Sequence, residues 1–353
     1  MSTTNQSLLS ICIPNYNYAK YIDITFDSLN KQTNTNFSIN VVDNASTDES
    51  LDVIKKWSEI FTNFEFKVNP CNVGFAGNLD KVASMKSAPY KIMISSDDVV
   101  LPEMTEVYET FITNRLKNDP NEDFIFGSVP LMIDGEGAFV REMNADSKLW
   151  FTSDIDSKIS EQMGFNVYKV SSSDMLKRCL KHFRTPMHFI TTCYSEKTYN
   201  SVGGYGGGRL YNPDKWFSWK ALSGTDFIYF LEKPLFEYRW HNSNQQALEK
   251  EAGVLKYWYD EYRNSFEVDA SILNKAGLSK NEVLDSYNES IMKGIYRALK
   301  NNEKFTAVRL MNWGSACYPN QFKRMKYYRI FKLLIALMPV SSLLLKLVNP
   351  KSK

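Results

Sequence analysis

Asp97 and Asp98 are adjacent carboxylates in the run Ile92-Met93-Ile94-Ser95-Ser96-Asp97-Asp98-Val99-Val100, with Pro102 close behind. An apolar run bounded by turn residues reads as a buried strand, and the proline as its stop. Hard carboxylate oxygens at a strand end suit Mg²⁺ or Mn²⁺ shared with a diphosphate. The same pair also reads as a solvated turn that binds nothing. Asp43 closes a second apolar run, Phe37 to Val42. There an acid can accept from a base N–H or a ribose hydroxyl, or it can simply flank a helix as a turn residue. Pro14-Asn15-Tyr16 follows a first run and Asn72-Val73-Gly74 a third, so polar groups recur after successive apolar segments.

The elements that must position these groups follow from periodicity. Leu8 to Ile13 reads as a strand, and Tyr21 to Gln32 as a helix with Ile22, Phe26 and Leu29 on one face. After the strand 37–42, Ser46-x-x-Glu49 reads as a capping box opening a helix with Leu51, Ile54, Trp57 and Ile60. A strand near 64–68 and a helix through Phe75, Leu79 and Val82 lead to the acidic strand. Strand and helix alternate for about a hundred residues, the pattern of a mostly parallel sheet with helices on both faces. In such a sheet ligands bind beyond the carboxyl ends of the strands, where all four polar groups fall. Further on, 103–117 reads as a helix, 124–133 as a strand with an antiparallel partner, 189–194 as a strand and 251–320 as helices. The polar stretch 144–185 reads as a variable, acceptor-facing region, since loops on a rigid scaffold carry specificity.

Composition narrows the class. A net charge of +2 excludes a general nucleic-acid binder, which needs a strong basic excess. The five cysteines are scattered and form no CxxC pair, which argues against a disulfide framework or zinc site and for a reducing compartment. No GxGxxG follows the first strand and no P-loop is present, so the usual glycine cradles for phosphate are missing. The polar, uncharged start of the chain lacks the pattern of a secretory signal, and the expectation is a cytoplasmic protein.

Four segments in order resemble glycosyltransferase family 2 of the GT-A fold. They are Ser10-Ile11-Cys12-Ile13-Pro14-Asn15-Tyr16-Asn17, Val41-Val42-Asp43-Asn44-Ala45-Ser46-Thr47-Asp48, Asn72-Val73-Gly74-Phe75-Ala76-Gly77-Asn78 and the Asp97-Asp98 run at the family's D-x-D position. The first acid of the commonest D-x-D form is Ser95 here, which leaves open which carboxylate meets the metal. The resemblance implies a Rossmann-like nucleotide-binding sheet plus, in this chain, a C-terminal helical extension. It implies donor contacts from Pro14, Asn15, Tyr16, Asp43, Asn72, Gly74, Asn78, Asp97 and Arg239, and Mg²⁺ or Mn²⁺ on Asp97, Asp98 and His241. The segment Tyr238-Arg239-Trp240-His241 is similar to the family's closing Y-R-x-H strand. Gly203-Gly204-Tyr205 precedes Asp214 as the family's G-G-Y precedes its catalytic base, although Pro213 stands where an acid is common. An Asp at a helix start is otherwise an ordinary cap.

The activity so implied is inverting transfer from a nucleotide-diphosphate sugar, a UDP-sugar first, to a hydroxyl of a glycan or polyprenyl-linked glycan. The setting is bacterial surface polysaccharide, O-antigen or capsule. A retaining route needs a second carboxylate as nucleophile, and no clear candidate is present. The rivals are a nucleotidyltransferase, disfavoured by a first loop without glycine or a basic residue, and a non-catalytic module with a decayed site. The organisation expected is 1–250 as the transferase domain (1–105 donor half, 106–250 acceptor half), 251–320 as helices and 321–353 as a tail. In that tail Lys323, Arg324, Lys326, Arg329 and Lys332 surround aromatics, and the apolar stretch 333–348 is broken by Pro339, Ser341, Ser342 and Lys346. This is too short and broken for a membrane span but suits the face of an anionic membrane. A helix packed on the core is the alternative.

Overall fold

The computed structural model describes residues 7–85, 88–206, 210, 213–241 and 254–337. Strands β1 (Leu9–Asn15), β2 (Phe37–Asp43), β3 (Phe64–Val68) and β4 (Tyr90–Met93) lie in the order β3-β2-β1-β4, all parallel. Helices α1 (Ala19–Asn30), α2 (Ser50–Ser58) and α3 (Phe75–Ala83) connect them. β1 and β2 are buried along almost their whole length, which explains why their sequences are near-continuous apolar runs: a parallel strand is covered on both faces. Ile22, Phe26 and Leu29 of α1 enter the core, as their helical spacing requires.

The sheet continues through β9 (Cys193–Ser195), β6 (Phe124–Asp134) and β10 (Phe227–Trp240) to β5 (Val99–Val100). β9 runs antiparallel between β4 and β6, and β10 runs parallel to β6. β7 (Phe139–Glu142) pairs with β6, and β8 (Val167–Ser171) with the first half of β10, both antiparallel. Strands β1, β2, β3, β4, β6 and β10 therefore point the same way, and β5, β7, β8 and β9 oppose them. Helices α4 (Met104–Asn118), α5 (Ser157–Met163), α6 (Ser172–His182), α7 (Glu196–Val202) and α8 (Asp214–Gly224) complete this part. The fold is α/β with a central, mostly parallel sheet.

Three local readings are corrected. The acidic strand does not run through 92–100: β4 stops at Met93, a turn carries Asp97 and Asp98, and Val99–Val100 pairs with β10 instead. Ser46 caps no helix; α2 starts at Ser50, and the Ser46 hydroxyl donates to Asp43 at 2.6 Å. That hydroxyl is turned toward the buried Asp43 carboxylate, so its oxygen is not offered to the free N–H groups of a helix turn. Over 189–194 a single 3₁₀ turn, Phe189–Thr191, precedes β9, because the Thr191 and Thr192 hydroxyls both bond back to the His188 carbonyl. Segment 144–185 contributes α5, β8 and α6, with β8 beside the start of β10 rather than its end.

Contact density divides the chain into two units: Met1–Leu176 with Thr185–Leu248, and Lys177–Arg184 with Glu249–Lys353. The second is helical. Its longest helix, Lys280–Lys300, opens on a capping box between Ser279 and Glu282 and packs on the helix Lys304–Cys317. Tyr287, Ile291, Ile295 and Leu299 form its buried stripe.

Candidate active site

The site is built where β1, β2, β4 and β10 end. Asn17 adopts φ +56°, a left-handed conformation that asparagine tolerates because its side chain bonds locally. Its Oδ1 accepts from the Thr47 backbone N–H at 2.8 Å, tying the loop after β1 to the loop after β2. Asn15 donates from Nδ2 to Asp43 Oδ2 at 2.7 Å. Asp43 is fully buried, and Oδ1 also accepts the Ser46 N–H at 2.8 Å. In this conformation its carboxylate organises the two loops, and both oxygens are already engaged within the chain.

Beside it lies a chain of amides. Asn44 donates to Asn72 Oδ1 at 2.8 Å and accepts from Val73 N–H at 2.9 Å and Asn69 Nδ2 at 3.0 Å. Asn69 also donates to Asn78 Oδ1 at 3.0 Å, and Asn78 donates to the Val42 carbonyl at 3.1 Å. Gly74 sits at φ +79°, with its N–H on Asn72 Oδ1 at 2.8 Å. A side chain there would be strained. Asn72, Gly74 and Asn78 thus shape the wall between β2 and α3, while Tyr16 stands exposed next to Asn15.

The acidic turn is clamped from below by one stripe of α1. Thr25 Oγ1 donates to the carbonyls of Asp98 at 2.8 Å and Ser96 at 3.1 Å. Ser28 Oγ accepts the Val100 N–H at 3.1 Å, and Gln32 donates to the Leu101 carbonyl at 2.9 Å. Positions 25 and 28 share a helix face by their spacing, and Gln32 follows just past the end of α1. Ser96 Oγ adds a bond to the Pro14 carbonyl at 2.8 Å. From β10, the Arg239 backbone N–H meets Asp98 Oδ1 at 2.9 Å, and its Nε meets the Asp97 carbonyl at 2.9 Å. The Arg239 guanidinium also lies 5.4 Å from the centre of the Tyr21 ring. His241 Nε2 is 3.0 Å from Asp97 Oδ2, and its ring stacks on Tyr21 at 4.6 Å.

The charge arrangement is unbalanced. Asp98 is 0% exposed, and its Oδ2 accepts no hydrogen bond among the described residues. Burial first, and then the negative Asp97 beside it, push the Asp98 carboxyl well above the usual carboxylate range. A buried carboxylate oxygen without a donor is costly unless a proton or cation compensates it. Asp97 and Asp98 therefore fit a divalent cation. Among the described residues no group of three His, Cys, Asp or Glu side chains is ready-made for one, since His241 faces Asp97 while Asp98 faces Arg239.

Asp214 stands on another element, as the first residue of α8. It borders a cleft with Phe189, Thr192, Tyr194, Tyr205 and Ser218. The Tyr194 and Tyr205 hydroxyls bond at 2.9 Å, and the Tyr205 ring stacks on Phe217 at 4.3 Å. Between this cleft and the acidic turn lies His188, whose ring is 4.6 Å from that of Tyr238. Burial alone lowers the His188 imidazole to about 4, and its Nδ1 has no partner among the described residues.

Comparison with known proteins matches this geometry. A family model described as glycosyl transferase family 2 covers residues 10–154, which include every segment of the donor-side wall and the acidic turn. Residues 10–154 form a family 2 glycosyltransferase domain. An uncharacterized glycosyltransferase of Haemophilus influenzae is 22% identical over 321 residues, 88% of this chain and 91% of that one. The abequosyltransferase RfbV of Salmonella typhimurium is 29% identical over 114 residues, 31% of this chain and 33% of the relative. The structure of Staphylococcus aureus TarS 1–349 in complex with UDP-GlcNAc aligns with a TM-score of 0.63 at 16% identity, covering 97% of this chain and 91% of that one. This likeness establishes the GT-A fold.

Some residues that build the transferase's site were not singled out from sequence. Thr25 reads as an ordinary helix position, although a buried polar stripe beside the apolar one was a usable signal. Asp80 carried no signal. Its Oδ1 accepts the Tyr205 N–H at 2.6 Å and the Tyr199 hydroxyl at 3.2 Å. At Gly204, φ +86°, an added Cβ would come within 2.5 Å of the same oxygen. The Gly-Gly-Tyr turn is thus fitted to an acid more than a hundred positions away, which no local pattern encodes.

Proposed function

We propose that this glycosyltransferase moves a sugar, with inversion, from a UDP-sugar to a hydroxyl of a glycan or polyprenyl-linked glycan in surface polysaccharide assembly. The observation that carries the donor side is the Asp97-Asp98 turn, buried between β1 and β10 with one carboxylate oxygen that has no partner among the described residues. Asp97 and Asp98 would hold Mg²⁺ or Mn²⁺, and His241 would orient Asp97. When bound, the cation supplies charge compensation for a departing diphosphate. Arg239 keeps both acids in place through its backbone N–H and its Nε. Asn15, Asp43 and Asn78 fix the loops against which the nucleotide lies, with Pro14, Tyr16, Asn72 and Gly74 lining them. The choice of UDP draws support from TarS, crystallised with UDP-GlcNAc.

Asp214 takes the proton from the acceptor hydroxyl as that oxygen attacks the anomeric carbon. A partly exposed carboxylate at a helix start, beside an aromatic cleft, has the access this role needs. A single displacement with one base inverts the anomeric centre. An acceptor carried on a polyprenyl lipid requires the enzyme at the inner face of the cell membrane.

The test is hydrolysis of a panel of UDP-sugars by the purified chain, with and without Mn²⁺, beside Asp98→Ala and Asp214→Ala. Metal-dependent turnover of one donor, lost in both variants, is the expected result. Metal-dependent UDP binding without any turnover would favour a non-catalytic module. If calorimetry detects no UDP binding with metal present, the proposal is wrong.

A further inference from the structure

The last described helix, Tyr328–Ala336, has two apolar faces where a packed surface helix needs one. Phe331 and Ile335 point into the helical unit and are buried; the Phe331 ring stacks with Tyr296 at 6.4 Å. Ile330, Leu333 and Leu337, spaced i, i+3 and i+7, face outward at 52%, 60% and 50% exposure, with Tyr327 at 46% just ahead of them. Four large apolar groups on one outward stripe are not explained by packing among the described residues.

Charge along this stretch of the chain is of one sign. All 40 Asp and Glu residues of the chain precede Lys304, whereas ten of its 42 Lys and Arg residues lie from Lys304 onward. Lys323, Arg324, Lys326, Arg329 and Lys332 are exposed, and none of them pairs with a carboxylate among the described residues. No helix among the described residues is long and apolar enough to cross a membrane. A short helix with an outward apolar stripe, flanked in sequence by cations and no acids, has the composition of one that lies in the plane of a bilayer surface.

We infer that the face formed by Tyr327, Ile330, Leu333 and Leu337 docks on an anionic lipid bilayer, with Lys326, Arg329 and Lys332 among the lipid headgroups. Cations alone would suit any polyanion, including nucleic acid. The apolar stripe selects lipid, because only a bilayer offers hydrocarbon and phosphate at one surface. The two-faced helix accommodates both expectations for this segment: one side packs on the unit and the other is free for the membrane. Vesicle binding is read without catalysis, so this inference and the transferase mechanism stand or fall separately.

The experiment is co-sedimentation of the full chain with vesicles of phosphatidylcholine alone and of phosphatidylcholine mixed with phosphatidylglycerol. Binding to the mixed vesicles only, weakened by added salt, is expected. Lys326→Ala, Arg329→Ala and Lys332→Ala together should weaken it about a hundredfold, at roughly fivefold per cation. Ile330→Ser with Leu333→Ser should weaken it about tenfold or more, with the circular dichroism spectrum and thermal midpoint unchanged, because both side chains are exposed. No binding to the mixed vesicles overturns the inference. So does undiminished binding by both variants, which would move the contact to another segment. A concentration-dependent dimer that the serine variant abolishes, without vesicle binding by the parent chain, overturns it in favour of a second copy.

Discussion

The acidic turn and the Asp214 cleft are built in opposite ways. Asp97 and Asp98 are buried and held from three sides, by Thr25 and Ser28 of α1, by Ser96 on the Pro14 carbonyl and by Arg239 of β10. Asp214 is partly exposed at a helix start, and its neighbours Tyr194, Tyr205 and Phe217 form an aromatic wall. The first arrangement fixes charge where water is excluded, so each group acts strongly and must not move. The second leaves a carboxylate accessible from solvent, as the base proposed above must be. Rigidity is concentrated at the buried acid pair, and access at the exposed acid.

Substituting each carboxylate by its amide separates the two. Asp98→Asn should lower turnover about a thousandfold. It should leave the fold intact or firmer by ~1 kcal/mol, since the amide keeps an acceptor for the Arg239 N–H and removes a buried charge beside Asp97. Asp214→Asn should lower turnover by about 10²- to 10⁴-fold with UDP affinity unchanged, whereas Asp98→Asn should also abolish metal-dependent UDP binding. Steady-state kinetics, calorimetric UDP titration and thermal melts of both variants read this out. Equal loss of UDP binding in both would collapse the distinction.

A pH dependence comes next in size and belongs to the seam between the two regions. The folded His188 imidazole is held at about 4 by burial, against an ordinary value of 6.5. Below 6.5 the unfolded chain takes up a proton that the folded chain refuses. Stability is therefore complete above that pH, falls as pH drops through the window and levels off below about 4. The loss should reach about 2 kcal/mol at pH 5. Urea melts at pH 5 and 7.5 would show it, and in His188→Gln that share of the difference should vanish.

Two smaller effects sharpen the contrast. Thr25→Val removes the bonds to the Ser96 and Asp98 carbonyls and should cost about 2 kcal/mol in denaturant melts, with a loss of UDP affinity. Asp80→Ala frees the Tyr205 N–H and should cost about 1 kcal/mol. Its kinetic signature should be confined to acceptor turnover, with UDP binding at the parent value.

Much of the donor half was legible in the sequence because it is local. Each strand is a continuous apolar run, each polar group follows its strand by a residue or two, and parallel topology brings those ends together. The Asn and Gly of 72–78 and the Asp97-Asp98 pair fall within such segments. Where the reading failed, a distant partner had overruled a local pattern. Ser46 prefers the buried Asp43 to the helix behind it, and the acidic strand breaks because Val99 and Val100 pair with β10.

The sequence by itself determined the alternation of strands and helices, the identity of the carboxylates and the acid-free C-terminal segment, all of which rest on residue type and short-range spacing. Only the tertiary structure decided that Asp43 is engaged inside the chain, that Asp98 keeps one oxygen without a partner among the described residues, that Asp80 holds the Gly-Gly-Tyr turn, and that the last described helix turns apolar groups both inward and outward. The reason is physical: burial and hydrogen-bond satisfaction depend on which segments meet, and segments far apart in sequence meet only in the fold.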